Sequence, residues 1–401
     1  MLLKDELERV VIKQQSDLLK DLGVPRLFEI KLLNKFTTII SGVRRGGKST
    51  LVRQFLKRKK PVYYLYFEDI TLAEFELADF IQLENIFRTR LGPNGIFFFD
   101  EIQNIEGWEK YIRQLVDAGE QVIVTGSNAS MLSREMGTRL TGRHISLELY
   151  PFSYAEFLLF KKKDHSIKLF EEYMQNGGFP EYLKNNDVDV LRNLFQDIFY
   201  RDILQRNLLR SELAIKILLH YLISNIGKEL SYNKLKDLIK VGSGNTVSQF
   251  IDHFEQAYLL FSLKKFDYSL KKQLVNPKKI YCIDNAIIGR NSFSFSENRG
   301  RLLENTVFIE LNRRNRQIFY HKKKAECDFL IQEGLRITEA IQVCYHLELY
   351  NKEREFTGLT EALEEYNLKE GLILTFDQED VLKFKDKRIV VQPVWNWLLS
   401  V

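Results

Sequence analysis

Eight consecutive residues concentrate the chemistry of this chain: Gly42-Val43-Arg44-Arg45-Gly46-Gly47-Lys48-Ser49. They match G-x-x-x-x-G-K-[ST] at every fixed position. In such a loop the glycines let backbone N–H groups turn inward onto phosphate oxygens, and the N-terminus of the next helix adds positive potential. Lys48 is then the group that reaches the β- and γ-phosphates, and the Ser49 hydroxyl is a ligand for Mg²⁺. The cradle runs over Gly42, Arg44, Arg45, Gly46, Gly47, Lys48, Ser49 and Thr50. No N-K-x-D base-reading motif follows, so guanine is not selected and ATP is the nucleotide expected.

A second group of residues completes that chemistry. The apolar run Ile96 to Phe99 ends in Asp100-Glu101. Behind a phosphate loop, Asp100 would hold Mg²⁺, directly or through water, and Glu101 would orient and deprotonate the attacking water. Another apolar run ends in Thr125-Gly126-Ser127-Asn128. Either Ser127 or Asn128 would sense the γ-phosphate, provided this strand is inserted between the other two. Arg134, Arg139 and Arg143 follow. Arg143 first and Arg139 second are placed to reach the γ-phosphate of a neighbouring subunit, which implies a homo-oligomer; the alternative is a solvated basic turn.

These groups need a scaffold, and the hydrophobic pattern supplies one. Near-continuous apolar runs at Thr37 to Ser41, Val62 to Phe67, Ile96 to Phe99, Val122 to Val124 and His144 to Leu149 alternate with helical stretches. That pattern predicts a buried parallel sheet, whose ligand lies at the carboxyl ends of its strands. The expected organisation is an N-terminal amphipathic packing helix over 1–21, an α/β core over 22–150 and a helical lid over 151–208 that closes over the nucleotide. In the lid, Gly177-Gly178 and Pro180 break the helical pattern.

The set GVRRGGKST, FFFDEIQ, VTGSN and RLTGR resembles the AAA+ ATPases. More closely, the chain is similar to a family of bacterial and archaeal predicted ATPases whose AAA core precedes a C-terminal domain of unknown function. Pro151-Phe152-Ser153 with Glu156-Phe157, Gly177-Gly178-Phe179-Pro180-Glu181, Tyr200-Arg201-Asp202, and Gly300 with Glu304-Asn305 and Glu310 carry that likeness along nearly the whole chain. The resemblance implies an ATP-hydrolysing P-loop core, and more of fold than of function for the remainder.

From Glu212 to Asn285 three helical stretches precede two strand-like pieces, which predicts a winged helix-turn-helix over 209–283. Ser248, Gln249 and His253 lie on its recognition helix, and Lys264, Lys265, Lys271 and Lys272 on or near its wing. These basic positions suit DNA phosphates, although winged helices also dock proteins. Residues 284–401 form a second α/β region that resembles the PD-(D/E)xK, restriction-endonuclease-like core. Glu304 and Asp328 take its first two positions. Gln342 and Cys344 stand where an acid and a lysine are needed, so the site is expected to be degenerate and nuclease activity absent. Arg313, Arg314, Arg316 and Lys322 to Lys324 are expected to form a basic surface.

Composition sets the outer limits. A chain of 401 residues exceeds one ordinary core, so two to four domains are expected. Its 45% apolar and 28% charged residues fit a globular protein, and a net charge of +5 does not by itself announce nucleic acid. Cys282, Cys327 and Cys344 have no disulfide or zinc spacing, and no apolar run reads as a signal peptide or a membrane span. A cytoplasmic ATPase without a membrane partner follows, driving a conformational change on DNA or protein. The alternative is a nucleotide-gated binding module that does not hydrolyse ATP.

Overall fold

Five short runs of β-branched and aromatic residues become the strands of one sheet: β1 (Thr37–Ser41), β2 (Val62–Tyr66), β3 (Ile96–Asp100), β4 (Val122–Gly126) and β5 (His144–Glu148). The computed structural model describes residues 2–59, 61–132, 140, 142–209, 211–291 and 299–400. All the pairings in this sheet are parallel, in the order β2-β3-β4-β1-β5. β4 therefore lies between the strand that leads into the phosphate loop and the strand that ends in the acids. Both faces are covered, which is why β1, β3 and β4 are buried along their whole length. Alternate side chains separate two cores. Ile39, Phe97, Phe99 and Val124 pack with α3 (Asp79–Leu91) and α4 (Trp108–Asp117), whereas Ile40, Phe98 and Ile123 pack with α2 (Lys48–Leu56).

The N-terminal helix α1 (Lys4–Asp17) does more than cover apolar surface. β2 is an edge strand, whose open backbone groups need partners. Gln14 meets both backbone groups of Tyr66, accepting from its N–H at 2.7 Å and donating to its carbonyl at 3.2 Å, and Gln15 donates to the Val62 carbonyl at 3.0 Å. Two side-chain amides thus stand in for part of a sixth strand.

The chain divides into two compact units, Met1–Tyr150 with Gln256–Tyr258, and Pro151–Glu255 with Leu259–Val401. The second unit begins with helices α5 (Tyr154–Lys161), α6 (Ile167–Asn176), α7 (Pro180–Asn185) and α8 (Val188–Asp197), the last running on into a π-helical stretch at Ile198–Gln205. Ser153 and Glu156 form a reciprocal cap at the start of α5, and Pro180 opens α7. Three helices follow, α9 (Glu212–Ser224), α10 (Tyr232–Ile239) and α11 (Gly244–Gln256), with an antiparallel sheet of β6 (Glu229–Leu230), β8 (Lys278–Cys282) and β7 (Leu260–Lys264). The sheet has three strands rather than the two read from sequence, because a two-residue strand shows no alternation. Lys271 and Lys272 lie on a short helix, α12 (Leu270–Val275), between β7 and β8.

The remainder is a six-stranded mixed sheet with flanking helices. α13 (Asn285–Asn291) and α14 (Arg299–Arg313) lead into β9 (Gln317–Lys322), β10 (Glu326–Glu333) and β11 (Arg336–Val343); α15 (Leu349–Glu365) then precedes β12 (Glu370–Thr375), β13 (Asp380–Phe384) and β14 (Lys387–Pro393), and α16 (Val394–Leu399) closes the chain. The strand order is β13-β14-β12-β11-β10-β9, parallel only at β11/β12 and β12/β14.

Two sequence segments that looked independent meet in this unit. The Phe152 N–H donates to the Gly178 carbonyl at 2.8 Å, and the Gly178 N–H donates to the Asp284 carboxylate at 2.7 Å. A Cβ at Gly178 would stand 2.3 Å from the Phe152 carbonyl oxygen, and one at Gly177, where φ is +63°, 1.7 Å from Asp284 Oδ1. Only hydrogen fits at either place. Gly178→Ala should therefore destabilise the chain by roughly 2 kcal/mol or more, because backbone rather than a pliant side chain must yield. Urea denaturation reads this directly, and an unchanged midpoint would mean that residues 151–153 shift at little cost.

Candidate functional site

The phosphate loop is held in its cradle shape before any phosphate arrives. Gly42 has φ +154°, and a Cβ there would lie 2.1 Å from the Leu149 carbonyl oxygen; Arg45 and Gly47 follow at φ +58° and +96°. Gly47 caps α2, so the helix N-terminus faces the loop. Arg26 fastens the loop from behind. Its buried guanidinium donates to the carbonyls of Gly46 and Tyr150, each at 2.8 Å. The Arg44 guanidinium makes a two-point ion pair with Glu68, at 2.7 and 3.0 Å, and its charge also acts on Glu101. The Arg45 side chain is exposed and Thr50 half-buried.

Lys48 is 4% exposed. Its ammonium donates to the carbonyls of Gly42 at 3.1 Å and Val43 at 3.2 Å, and it lies 3.3 Å from Glu101 Oε1. Ser49 Oγ donates to Asp100 Oδ1 at 2.9 Å, and Thr125 donates to the same oxygen. Burial, reinforced by the charge of Glu101, raises the Asp100 carboxyl to about 6 despite these two hydrogen bonds. A hydroxyl and a carboxylate oxygen directed at one place are hard donors suited to Mg²⁺. Ser49 and Asp100 would hold it.

Glu101 sits in the left-handed region, with φ +54°, in a backbone conformation that costs energy for a residue with a side chain. Its Oε2 accepts from Gln103 Nε2 at 2.6 Å and from the Ser127 N–H at 3.1 Å. Burial pushes this carboxyl up, but Lys48 and the Gln103 hydrogen bond outweigh it, and the carboxyl is held down at about 2. Asn128 is occupied elsewhere: its Oδ1 accepts from the Ser130 N–H at 2.9 Å and so caps the turn beyond β4. Of the two polar residues read from sequence, Ser127 is the one joined to Glu101. Gln103, Arg26 and the hydrogen bonds of Thr125 were not foreseen. Only the position of Gln103 two residues beyond the acid pair could have signalled its role.

Arg143 immediately precedes β5, at the strand ends opposite the phosphate loop, where it pairs with Asp117 at 2.5 Å. It therefore serves no nucleotide on its own chain from that edge. Arg134 and Arg139 lie outside the described residues.

In the second unit, Glu304 of α14 and Asp328 of β10 converge on a cleft of about 920 Å³, as does Gln342 of β11. Gln342 accepts from the Asp328 N–H at 3.3 Å and donates to Glu355 at 2.7 Å. Burial raises the Cys344 thiol to about 12, so it remains protonated. A lysine does reach this cluster, from an unforeseen strand. Lys279 of β8 lies 3.4 Å from Glu304, 3.1 Å from Asp328 and 2.7 Å from Glu326.

The basic surface expected at Arg313 to Lys324 is largely neutralised. Arg313 and Arg314 pair with Glu310, Arg316 with Glu333, Lys322 with Glu229 and Glu326, and Lys323 with Glu365. The acids come from several separate elements, so counting charges along one stretch overstates the field. Of the lysines expected on a wing, Lys271 and Lys272 are exposed on α12, and Lys264 and Lys265 are half-buried. On α11, Gln249 is exposed and Ser248 and His253 half-buried, with the acidic Asp252 exposed beside them.

Comparison with known proteins agrees with this geometry. Residues 34–158 match the model of an AAA domain, and residues 167–294 that of a domain of unknown function (DUF8612). The uncharacterized protein MJ1544 of Methanocaldococcus jannaschii is 35% identical, covering 98% of this chain and 95% of its own length. A Haemophilus influenzae protein is 32% identical, covering 78% of this chain and 83% of its own. Among solved structures, Orc1 of Aeropyrum pernix in complex with DNA aligns at 12% identity and a TM-score of 0.32, over 77% of this chain and 94% of that one. Cdc6p of Pyrobaculum aerophilum aligns at 12% and 0.26, over 65% and 86%. Among the described residues, no helix is long and apolar enough to cross a membrane.

The Lys48–Glu101 pair predicts a variant with two readouts. A carboxyl lowered from 4.5 to about 2 stabilises the folded chain above pH 4.5, and that contribution is lost as pH falls towards 2. Lys48→Ala should cost about 3 kcal/mol near pH 7, because Glu101 stays buried without its cation, and the deficit should shrink as pH falls below about 4.5. ATP affinity should drop as well. Unchanged ATP binding by calorimetry would refute the assignment of the loop.

Proposed function

The chain belongs to the family of MJ1544 of Methanocaldococcus jannaschii, and from that footing we propose that it is an AAA+ ATPase that hydrolyses ATP with Mg²⁺. The observation that carries this reading is the partner set of Lys48. Two neutral carbonyls and one carboxylate at 3.1 to 3.3 Å are partners that phosphate oxygens can replace. When Lys48 turns to the phosphates, Glu101 Oε1 loses its cation and is free to take a proton from water, while Gln103 and the Ser127 N–H keep Oε2 in place. Backbone N–H groups over residues 42–50 bind the phosphates, and Ser49 with Asp100 holds the metal, which neutralises charge on the phosphates when bound.

Arg143 acts in trans in this reading, since it stands at the strand ends opposite its own loop. Glu101→Gln should still bind ATP but hydrolyse it at least about tenfold more slowly, because an amide cannot take the proton. In the same assay, wild-type turnover should rise faster than linearly with protein concentration. Wild-type turnover by Glu101→Gln would exclude it as the base, and strictly linear turnover would leave Arg143 a structural role.

We further propose that the second unit carries the effect to DNA, through a winged helix formed by α9 to α11 and β6 to β8. The wing lysines are the remaining candidates for phosphate contact, given the ion pairs around Arg313 to Lys324. Replacing Lys264, Lys265, Lys271 and Lys272 with glutamine should weaken binding to every DNA sequence alike. It should also flatten the salt dependence, the log–log slope falling by about 0.9 for each phosphate no longer neutralised. Absence of DNA binding at low salt, with and without ATP, would make this module a protein-docking element instead.

A further inference from the structure

Three carboxylates of the C-terminal cleft meet one buried ammonium in an arrangement that no part of the ATPase reading uses. Lys279 is 1% exposed. Its ammonium has three N–H groups and three carboxylate partners, Glu326 Oε1 at 2.7 Å, Asp328 Oδ1 at 3.1 Å and Glu304 Oε1 at 3.4 Å. The surrounding groups fix those acids. Tyr281 donates to Glu304 Oε1 at 2.6 Å, the Val343 N–H to Asp328 Oδ2 at 3.0 Å, and Lys322 lies 3.1 Å from Glu326 Oε2.

Three hard anionic oxygens converging on one point are what a divalent cation requires. Here a side chain of the protein stands at that point. Lys279 is also poorly placed to act as a catalytic lysine, because its buried ammonium is hydrogen-bonded to Glu304 and Asp328 and lies 2.7 Å from Glu326. Gln342 is engaged by Asp328 and Glu355, and so adds no free ligand. Among the described residues, no group of three His, Cys, Asp or Glu side chains is arranged to hold a metal. That agrees with carboxylates spread around an ammonium, whose oxygen distances exceed the roughly 2.1 to 2.5 Å of an Mg²⁺ or Ca²⁺ shell.

We infer that Lys279 is the built-in cation of this cleft: its ammonium stands in for a divalent metal among Glu304, Asp328 and Glu326, so the cleft neither binds Mn²⁺ or Mg²⁺ nor cuts phosphodiesters. The consequence reaches beyond the cleft. Lys279 belongs to the three-stranded sheet and its partners to α14 and the six-stranded sheet, so the cation is also a joint between these modules. Lys322 of β9 extends the joint by bridging Glu326 to Glu229 of β6.

The test uses the full chain without nucleotide. Thermal unfolding of the wild type should be unaffected by millimolar Mn²⁺. Lys279→Ala should unfold at a lower temperature and be restored towards wild type by Mn²⁺, with at least about tenfold tighter Mn²⁺ binding by electron paramagnetic resonance. Adding Asp328→Asn to that variant should abolish the rescue. If Lys279→Ala folds and Mn²⁺ neither binds nor restores it, the stand-in role is wrong. Should Lys279→Ala fail to fold, the wild type decides by itself: Asp328→Asn should leave its Mn²⁺ binding unchanged. Wild-type Mn²⁺ binding lost in Asp328→Asn, or Mn²⁺-dependent DNA cleavage lost in that variant, would overturn the inference.

Discussion

An ammonium group taken out of water must be given anionic or carbonyl oxygens, and this chain meets that constraint twice, with opposite results. Lys48 and Lys279 are both almost wholly buried. Lys48 rests on two loop carbonyls and one carboxylate, and Lys279 on three carboxylates. The difference in partner charge decides the chemistry. Neutral carbonyls can be exchanged for the more strongly anionic oxygens of a nucleotide, as the proposed reaction requires of Lys48. Three carboxylates could be given up only by leaving buried charge uncompensated, which is strongly destabilising. Burial by itself pushes the Lys279 ammonium down, yet Tyr281 and the carboxylates hold it well above the ordinary lysine range.

The same constraint explains how the modules of the second unit are joined. Glu229, Lys322, Glu326, Lys279 and Glu304 form one alternating chain of charge from β6 through β9 and β10 to α14. The Tyr320 hydroxyl of β9 adds a further link, with Glu229 of β6 at 2.9 Å and the Pro277 carbonyl before β8 at 2.7 Å as the two acceptors in reach of its one proton. Lys322 and Lys279 each pair with more than one carboxylate, and both pair with Glu326. The three-stranded sheet is thereby tied to the larger one.

What sequence could reveal depended on distance along the chain. The phosphate loop, the acid pair and the parallel sheet are local patterns, and all were legible. Arg26 was not, since its partner Tyr150 lies 124 residues away. Lys279 escaped because the acids it joins are 25 and 49 residues distant and belong to other elements. A motif read on β11 alone finds no lysine, although a lysine is present in space. The apparent basic surface failed for the same reason, for Glu229 is 93 residues from Lys322. Charge read from sequence lacks its counter-charge, and for buried groups the counter-charge decides the outcome.

The acid pair is held by its own chain, so the proposed reaction would require little movement. Thr125 of β4 donates to Asp100 and accepts from the Glu101 N–H at 3.2 Å, so both acids hang from the neighbouring strand rather than from a ligand. The Ser127 N–H and Gln103 hold Glu101 Oε2, while Oε1 lies 3.3 Å from the Lys48 ammonium. Gln103 Oε1 is itself buried without a hydrogen-bond partner, and a Cβ at Gly126 would lie 2.3 Å from it. Glycine at this strand end is therefore the condition for Gln103 to reach the acid. The left-handed backbone at Glu101 is strained, and these strand contacts maintain it in the absence of nucleotide. In the proposed reaction, preorganisation of this kind would leave the displacement of Lys48 as the step that couples phosphate binding to release of the base.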